Sequence, residues 1–423
     1  MIRITRSGSI RLTTRVPRPP RGERNITECN VSVMLSNRRA LADPLPGRAG
    51  SPRSVKVCLM IGQLGLGGTE KQVVLLARGL RDRGIDTNVL VLFEGGPREG
   101  ALRSAGVSVV HLGFARFSTA RNAPRNAAAF LGLVRRLRRD QPDVLHAFLF
   151  HTYIVAAPAA RLARVPILVA GRRSLGVFTE GRRLLLLIER LATKATDLLI
   201  ANAHAVAENT RRQERVPAGK ITVVYNGLPE AAFAEFPPAS VETKHPVVLC
   251  VANLKSYKGH RHLLDAVAFL HARDRPCTLV LAGEGDERPA LEQQAARLGI
   301  DVRFLGACVE VGPLLARADV VVLSSLHEGM SNAVMEAMAA GRPIVATGVG
   351  GTPELLDGRG VLVPPGDPVA LAAAIERLLI DPDYGSRLGA QARCWSRAHL
   401  SADRMIDEHI RIYAGLLERR CAG

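Results

Sequence analysis

The feature that most constrains the fold of this sequence is an alternation of short apolar runs with longer amphipathic stretches, which starts at Val55. Helical patterns separate several of these runs, for example at 70–83 and 127–139. Apolar strands that alternate with helices are typical of a parallel sheet covered on both faces. In the first half of the chain, the apolar runs predict strands at 55–61, 88–93, 107–112, 143–148, 166–170, 197–201 and 221–225.

The alternation pauses at 229–245, a Pro-rich stretch that we interpret as a linker, and then restarts. A chain of 423 residues is too long for one ordinary core. We therefore predict an α/β protein of two doubly wound, Rossmann-like domains, at 54–228 and 246–400, followed by a terminal helical segment at 401–423. Ligands of such sheets bind beyond the carboxyl ends of the strands, so two facing domains form a cleft. The second set of predicted strands lies at 246–252, 277–283, 302–306, 319–325, 343–348 and 360–364, with helices at 260–272, 287–298, 332–340, 368–380 and 402–420.

The formal charge of +18 is compatible with nucleic acid, an anionic membrane surface or an anionic substrate as the partner. Residues 1–53 hold eleven arginines and three acids, and they lack apolar periodicity, so we predict a disordered basic extension. Aromatic residues make up 4% of the chain, and no basic run is interleaved with them. This composition argues against a nucleic-acid partner.

The seven cysteines include no C-x-x-C pair, which argues against a disulfide framework and against a structural zinc site. No apolar stretch reaches the length of about 20 residues that a spanning helix needs. The N-terminus has no apolar central region of a secretory signal. No Asp-x-Asp pair lies at a predicted strand end. We expect a cytoplasmic protein that uses neither a metal nor a cofactor.

A glycine-rich turn follows the first predicted strand. Gly65, Gly67 and Gly68 leave the backbone bare there, and Gly68 or Thr69 would cap a helix whose N-terminus faces a phosphate. A tight turn that simply requires glycine is the alternative.

Polar residues also follow strands in both domains. His146 ends the fourth predicted strand and so lies at the cleft edge, with His151 as a competitor and a structural role as the alternative. In the second domain, Asn253 and Lys258 lie on the loop after the first strand, and a lysine beside a helix N-terminus suits a pyrophosphate. A solvated loop lysine is the alternative.

The segment HEGMSNAVMEAMAAGRPIVAT (327–347) follows a predicted buried strand. Ser331 or Asn332 would cap the next helix, and Gly341 would end it. The backbone amides of 329–332 would then point at an anion.

Two acids flank this helix start. Glu328 lies on the loop, and Glu336 lies about one turn into the helix. Paired carboxylate oxygens accept hydrogen bonds from adjacent hydroxyls of a sugar or ribose. The alternative for each is a solvated glutamate, which at Glu336 also favours the helix dipole.

These motifs resemble, in order and spacing over about residues 55–400, the family 4 glycosyltransferases, which are retaining enzymes of the GT-B fold. The resemblance is carried by GLGGTE, VVYNG (223–227), VANL…YKG, LVLAGEGDE (279–287), the E-x7-E segment, GGTPELL (350–356) and GVLVPPGDPVALAAAI (360–375).

The resemblance implies roles for individual residues. Glu328 would hold donor-sugar hydroxyls, Glu336 the ribose and Lys258 the diphosphate, while His146 would lie near the reacting sugar. Catalytic roles would thus fall to Glu328, His146 and Lys258. The terminal helix would cross back onto the first domain. The implied donor-binding set is Gly67, Gly68, Asn253, Lys258, Leu305, Glu328, Gly329, Met330, Ser331, Asn332 and Glu336, in which the glycine turn and 330–332 cradle phosphate and the Leu305 region lines the base pocket.

One position departs from the family pattern. The family commonly has an arginine where this chain has Asn253, which would give the diphosphate a second cation. Either Lys255 or Arg261 could replace that cation, or the leaving group is held more weakly.

The function we expect is retaining transfer from a nucleoside diphosphate sugar to a lipid-linked, polysaccharide or other glycan acceptor. Rivals of the same architecture are a nucleotide-sugar epimerase and a phosphorylase, and a non-catalytic sugar- or nucleotide-binding protein is a rival of another class. The basic, leucine-rich stretch 171–195 would rest on an anionic membrane surface. A core helix with solvated arginines is the alternative for that stretch.

Overall fold

The computed structural model describes residues 55–116, 119–176 and 181–422, so the predicted basic extension at 1–53 lies outside the described residues. Within them, the first half forms seven strands where seven were predicted, with ends that differ by one to two residues. They are β1 Lys56–Ile61, β2 Asp86–Val91, β3 Ser108–His111, β4 Val144–Phe148, β5 Ile167–Arg172, β6 Leu198–Ala201 and β7 Ile221–Val223. The second half forms β8 Val247–Val251, β9 Thr278–Ala282, β10 Val302–Gly306, β11 Val320–Leu323, β12 Ile344–Thr347 and β13 Val361–Val363.

The helices fall between the strands and after them. In the first half they are α1 Gly68–Asp82, α2 Glu99–Ser104, α3 Ala123–Asp140, α4 Phe150–Ala163, α5 Arg183–Ala195 and α6 His204–Glu214. In the second half they are α7 His260–Ala272, α8 Arg288–Leu298, α9 Gly312–Arg317, α10 Asn332–Ala339, α11 Thr352–Leu356, α12 Pro368–Ile380, α13 Pro382–His399 and α14 Ala402–Ala422.

All paired strands run parallel, in two sheets with the orders β3-β2-β1-β4-β5-β6-β7 and β10-β9-β8-β11-β12-β13. In each sheet the order reverses beside the first strand, between β1 and β4 and between β8 and β11. Ligands of open parallel sheets bind at such a reversal, beyond the carboxyl ends of the strands. The fold class predicted from the sequence, two doubly wound α/β units, is therefore confirmed.

Both faces of each sheet are covered by helices. Along β1, Val57 and Leu59 pack in one cluster with α1, α2 and α14, whereas Cys58 and Met60 pack in another with α3, α4 and α5. Successive side chains of a strand point to opposite faces, so a strand covered on both sides needs apolar residues at every position. The second sheet is covered in the same way by α7, α8 and α12 on one face and by α9, α10, α11 and α13 on the other.

The chain passes between the two sheets twice, and the two passages are hydrogen-bonded to each other. The amide of Leu228 donates to the carbonyl of Leu400 at 2.7 Å, and the amide of Ala402 donates to the carbonyl of Leu228 at 2.8 Å. From there α14 packs against the first sheet, where Ile406 and Tyr413 are buried.

His146 of β4 lies under this helix. Its Nδ1 is 2.7 Å from the hydroxyl of Tyr413, and its ring stacks on Phe148 with centroids 4.0 Å apart. The His409 ring of α14 lies 5.7 Å away. Desolvation, together with the nearby Arg173 guanidinium, lowers the pKa of His146 well below its usual value and that of His409 to about 3.

Helix α5 carries apolar side chains on its solvent-exposed face. Leu184, Leu187 and Leu191 are 70%, 54% and 57% exposed and share one face of the helix. The opposite face packs on the core through Ala192, so α5 has one core face and one exposed apolar face. Among the described residues, no helix is both long enough and apolar enough to span a membrane.

We predict that the chain is acid-labile because of these buried histidines. Below about pH 6.5 each histidine binds a proton in the unfolded state but stays neutral in the folded state. For each histidine, the free energy of unfolding therefore decreases by about 1.4 kcal/mol for every unit by which the pH is lowered. For His409 this loss extends from pH 6.5 towards pH 3. Urea unfolding between pH 7 and 5 measures the slope, and His409→Gln should make it shallower. An unchanged slope in that variant would contradict a neutral His409 in the folded chain.

Candidate functional site

A cleft of about 690 Å³ opens where the reversal points of the two sheets face each other. It is lined from the first sheet by the turn after β1 and by residues following β4, β5, β6 and β7, and from the second by the loops after β8, β9, β10 and β11. Every residue of the predicted donor-binding set except Leu305 lines this cleft. The residues concerned are Gly67, Gly68, Asn253, Lys258, Glu328, Gly329, Met330, Ser331, Asn332 and Glu336.

The glycine turn starts α1 one residue earlier than expected. Helix α1 begins at Gly68 and its N-cap is Gly67, so the predictions that Gly68 or Thr69 caps the helix are wrong. A Cβ at Gly67 would lie 2.9 Å from the carboxyl carbon of Glu70, so that carboxylate would have to move if Gly67 carried a side chain. Arg98 holds the turn, because its Nε donates to the carbonyl of Gly65 at 3.1 Å.

Lys258 and Glu328 meet on the second domain. The Nζ of Lys258 lies 2.5 Å from Oε1 of Glu328, and the two side chains are only 15% and 8% exposed. The hydroxyl of Ser325 donates to the same carboxylate oxygen at 2.8 Å. Gly259, which follows the lysine, adopts a left-handed conformation with φ of 67°, and a Cβ there would press on Ser324. The loops after β8 and β11 thereby place a partly buried cation and a partly buried anion side by side.

Helix α10 points its N-terminus into the cleft. Its N-cap is Ser331, whose hydroxyl accepts a hydrogen bond from the amide of Val334 at 3.4 Å. Past its end, Gly341 adopts the left-handed conformation with φ of 67°. The orphan amides at the start of a helix carry partial positive charge, so this end favours an anion.

Two contacts of α10 reach across to the first domain. Glu336 is ion-paired with Lys71 of α1, and their side chains are 12% and 30% exposed. Asn332 donates to the carbonyl of Gly68 at 3.0 Å, and its side-chain oxygen accepts from Asn226 at 2.9 Å. These contacts hold the two walls of the cleft together.

Two predicted site residues lie elsewhere. His146 is fully buried beneath α14 and does not line the cleft, so the expectation that it lies near the reacting sugar is not met. Its competitor His151 lies on α4, against Phe93 and Phe150, and is also absent from the lining. Leu305 is 45% exposed on β10, and it is the following residues 307–309 that line the cleft.

The two suggested replacements for a cation at Asn253 are held elsewhere. Lys255 pairs with Asp286 at 2.5 Å, and Arg261 pairs with Glu287 at 2.8 Å. Neither lines the cleft, although Asn253 does. Neither of the two suggested residues therefore supplies a second cation to the cleft.

Three first-domain cations in the cleft were not predicted from the sequence. Lys71, Arg98 and Arg173 all line the cleft. A signal for Arg173 existed, because a pair of arginines directly follows the apolar run of β5, where a parallel strand delivers its next residues to the binding edge. Among the described residues, no cluster of three or more His, Cys, Asp or Glu is arranged to hold a metal ion.

Comparison with known proteins identifies both halves of the chain. Residues 66–231 match the model of Glycosyltransferase Family 4, and residues 245–381 match that of Glycosyl transferases group 1. The glycogen synthase of Mycobacterium tuberculosis is 32% identical over 271 residues, which cover 60% of this chain and 64% of the synthase. The chain thus spans just under two thirds of that relative's length.

A second relative is matched over nearly its whole length. The lipopolysaccharide core biosynthesis glycosyltransferase LpsE of Rhizobium meliloti is 27% identical over 364 residues, covering 82% of this chain and 96% of LpsE. Among solved structures, Anabaena HepE in complex with UDP-glucose superposes with a TM-score of 0.74 at 22% identity, covering 85% of this chain and 99% of HepE. This last likeness establishes the GT-B fold.

We predict that Asn332→Ala loosens the cleft. The change removes hydrogen bonds to Gly68 and Asn226 on the opposite wall and should lower the free energy of unfolding by about 1–3 kcal/mol. Amide hydrogen exchange in the first turn of α1 should become faster. Asn209→Ala, which removes a 2.9 Å bond to the carbonyl of Leu175 within the first domain, is the control. Equal exchange in α1 for both variants would argue against the bridging role.

Proposed function

We propose, from the premise that this chain belongs to the family 4 (group 1) glycosyltransferases, that it transfers a sugar from a nucleoside diphosphate sugar to a glycan or lipid-linked acceptor, with retention at the anomeric carbon. The observation that carries this proposal is the partly buried Lys258–Glu328 pair beside the N-terminus of α10, in a cleft walled by two Rossmann-like sheets. Relatives that synthesise glycogen or lipopolysaccharide core support a glycan acceptor. The UDP-glucose complex of HepE supports a nucleotide-sugar donor.

The donor diphosphate would take over Lys258 from Glu328. Separating a partly buried pair would leave each charge without a partner, and a new anion beside the lysine frees the carboxylate for other donors. Glu328 would then accept hydrogen bonds from hydroxyls of the donor sugar. The exchange keeps both groups paired at every stage.

Backbone amides would complete the diphosphate site. The start of α10 at 329–332 supplies orphan amides from one wall, and the turn at Gly67 and Gly68 supplies them from the other. Helix N-termini bind phosphate because amide hydrogens and the helix dipole act together. Since the amides come from both domains, the closed cleft is the form that holds the leaving group best.

Glu336 is placed to hold the ribose. Its carboxylate lies in the cleft on the first turns of α10, already ion-paired with Lys71. Ribose hydroxyls are donors and can share the carboxylate oxygens with the lysine, which leaves Lys71 neutralised.

The transfer itself would proceed on one face of the sugar. The bond between the anomeric carbon and the diphosphate oxygen breaks as the acceptor oxygen forms its bond on the same face. The departing diphosphate oxygen receives the acceptor's proton. Lys258 and the amides at 67–68 and 329–332 stabilise the charge that develops on the leaving group, and His146 takes no part because it is buried in the core.

We predict that Lys258→Ala lowers the rate of sugar transfer about 100-fold or more, because a preorganised charge on the leaving group is lost. Release of nucleoside diphosphate from a panel of nucleotide-sugars measures the rate. The control is Lys255→Ala, on the same loop but paired with Asp286 outside the cleft. Full turnover by a folded Lys258→Ala variant would contradict the mechanism.

The rival functions have separate signatures. Incubation with donor alone would give an epimer if the chain were an epimerase, and a phosphorylase would carry the colour of pyridoxal phosphate. A binding protein would be stabilised by a nucleotide-sugar in a melting assay without turning it over. We expect stabilisation and turnover, with both lost in Glu328→Ala.

We also propose that α5 rests on an anionic membrane surface where a lipid-linked acceptor would be presented. The support is the stripe of Leu184, Leu187 and Leu191, with the exposed cations Arg183 and Lys194 on the same helix. Apolar side chains flanked by basic residues bind an interface through buried area and charge together.

We predict that Leu184→Ser, Leu187→Ser and Leu191→Ser combined abolish sedimentation with vesicles that contain anionic lipid at low salt. Ile380→Ser on the second domain, which removes a side chain that is 58% exposed, is the matched control and should bind like the parent chain. Equal binding of both variants, or no binding by the parent chain, would remove this proposal.

A further inference from the structure

Arg172, the last residue of β5, and Arg173, which follows it, are both buried. They differ in which groups neutralise their charges. Arg172 donates to Glu214 at 2.9 Å from Nε and at 2.8 Å from Nη2, and its guanidinium also lies over the ring of Tyr153. Arg173 is 8% exposed, and its Nη1 donates a hydrogen bond to the amide oxygen of Asn226 at 2.6 Å. Across the described residues, no carboxylate forms an ion pair with Arg173.

An unpaired buried cation is costly. Desolvation lowers the pKa of Arg173 to about 10, so the group is still charged at neutral pH. Its Nε is buried and has no hydrogen-bond acceptor within the described chain. A buried charge is normally neutralised and a buried donor normally bonded, and an exception at a binding cleft suggests that a ligand supplies the missing partner.

Arg173 lies against the turn at the start of α10. A Cβ on Gly329 would come within 2.8 Å of its carbonyl carbon, so the two backbones touch across the cleft. Asn226 accepts from Arg173 and donates to Asn332 at 2.9 Å, so one amide links the guanidinium to the first residue of α10. The backbone of Arg173 therefore lies beside Gly329, and Asn226 joins its guanidinium to the start of α10.

We propose that Arg173, oriented by Asn226, binds a phosphate group of a substrate in this cleft. A guanidinium offers its donors as a rigid fork that matches phosphate oxygens, and Asn226 accepts only from Nη1 of this one. This inference rests on the proposed function only for the origin of the phosphate. The group belongs either to the donor diphosphate, where Arg173 acts as the second cation that Asn253 lacks, or to an anionic acceptor delivered from the first domain.

A purely structural role makes a different prediction. The guanidinium lies 5.1 Å from the ring centroid of Phe148, and this stacking could by itself justify the arginine. In that case Arg173→Met would lower the melting temperature and leave ligand affinity unchanged. If instead Arg173 binds a phosphate, Arg173→Met removes an unpaired buried charge from the unliganded protein. The unliganded variant should then have a melting temperature no lower than that of the parent chain.

The test compares the parent chain with Arg173→Met, Arg173→Lys and the control Arg393→Met. Arg393 is half-buried on α13, donates to the carbonyl of Phe233 at 2.7 Å and does not line the cleft. Calorimetry would measure the binding of UDP, ADP and GDP to each protein. Inorganic phosphate would then be titrated into the nucleotide-free and the nucleotide-saturated protein.

Three results are informative. A tenfold or greater loss of nucleoside diphosphate affinity in Arg173→Met, with a smaller loss in Arg173→Lys, assigns Arg173 to the donor. Unchanged nucleotide affinity with loss of phosphate binding to the saturated protein assigns it to an acceptor phosphate. Parental affinity for both probes in Arg173→Met, or a parent chain that binds neither, overturns the proposal.

The failure of the proposed function would look different. If no nucleotide binds and no nucleotide-sugar is consumed, the transferase assignment fails. The phosphate titration of the nucleotide-free chain still decides the role of Arg173, because loss of that binding in Arg173→Met but not in Arg393→Met supports it.

Discussion

The pairing of the two inter-domain passages is the constraint on which the site depends. Leu228 exchanges backbone hydrogen bonds with Leu400 and Ala402, so both passages cross at one point. Gly227 allows this, because a Cβ there would lie 2.8 Å from the Cα of Ala402. Helix α14 then packs into the core of the first sheet, which joins the two sheets at a second place. Because the passages are fixed in this way, the reversal points of the two sheets face each other. The contacts that span the cleft, such as the Lys71–Glu336 ion pair, depend on this arrangement.

Much of this arrangement could be predicted from the chain itself. Strands buried on both faces are almost continuously apolar, as in β1 after Lys56 and in β8, so the number of strands and their positions along the chain could be predicted. The Glu328–Glu336 spacing and Lys258 were placed correctly in the cleft because parallel strands deliver their following loops to one edge. The cap at Ser331 was likewise predictable from local chemistry.

The parts that failed depend on contacts between distant segments. His146 does follow the strand pattern, but whether a strand-end side chain enters the cleft or the core is decided by α14, more than 250 residues away, whose Tyr413 bonds it. Lys71 and Arg98 carry no local signal, because an arginine or lysine on a first-domain helix or loop looks the same whether it meets Glu336 or water. Lys255 and Arg261 form ion pairs with Asp286 and Glu287 instead of lining the cleft. Only the folded second domain brings these acids near them.

The charges in the cleft explain why a phosphate and hydroxyls fit it together. Lys258 is matched by Glu328, so an incoming diphosphate displaces that carboxylate, which must find new donors, while Lys71 stays paired with Glu336. A sugar and a ribose bring several hydroxyl donors, whereas inorganic phosphate brings only its own P–OH groups. Selectivity for a nucleotide-sugar over free phosphate then arises from the carboxylates rather than from the cations. Arg173 differs from these two lysines, since no carboxylate of the described residues forms an ion pair with it, and its share of phosphate binding should carry no such selectivity.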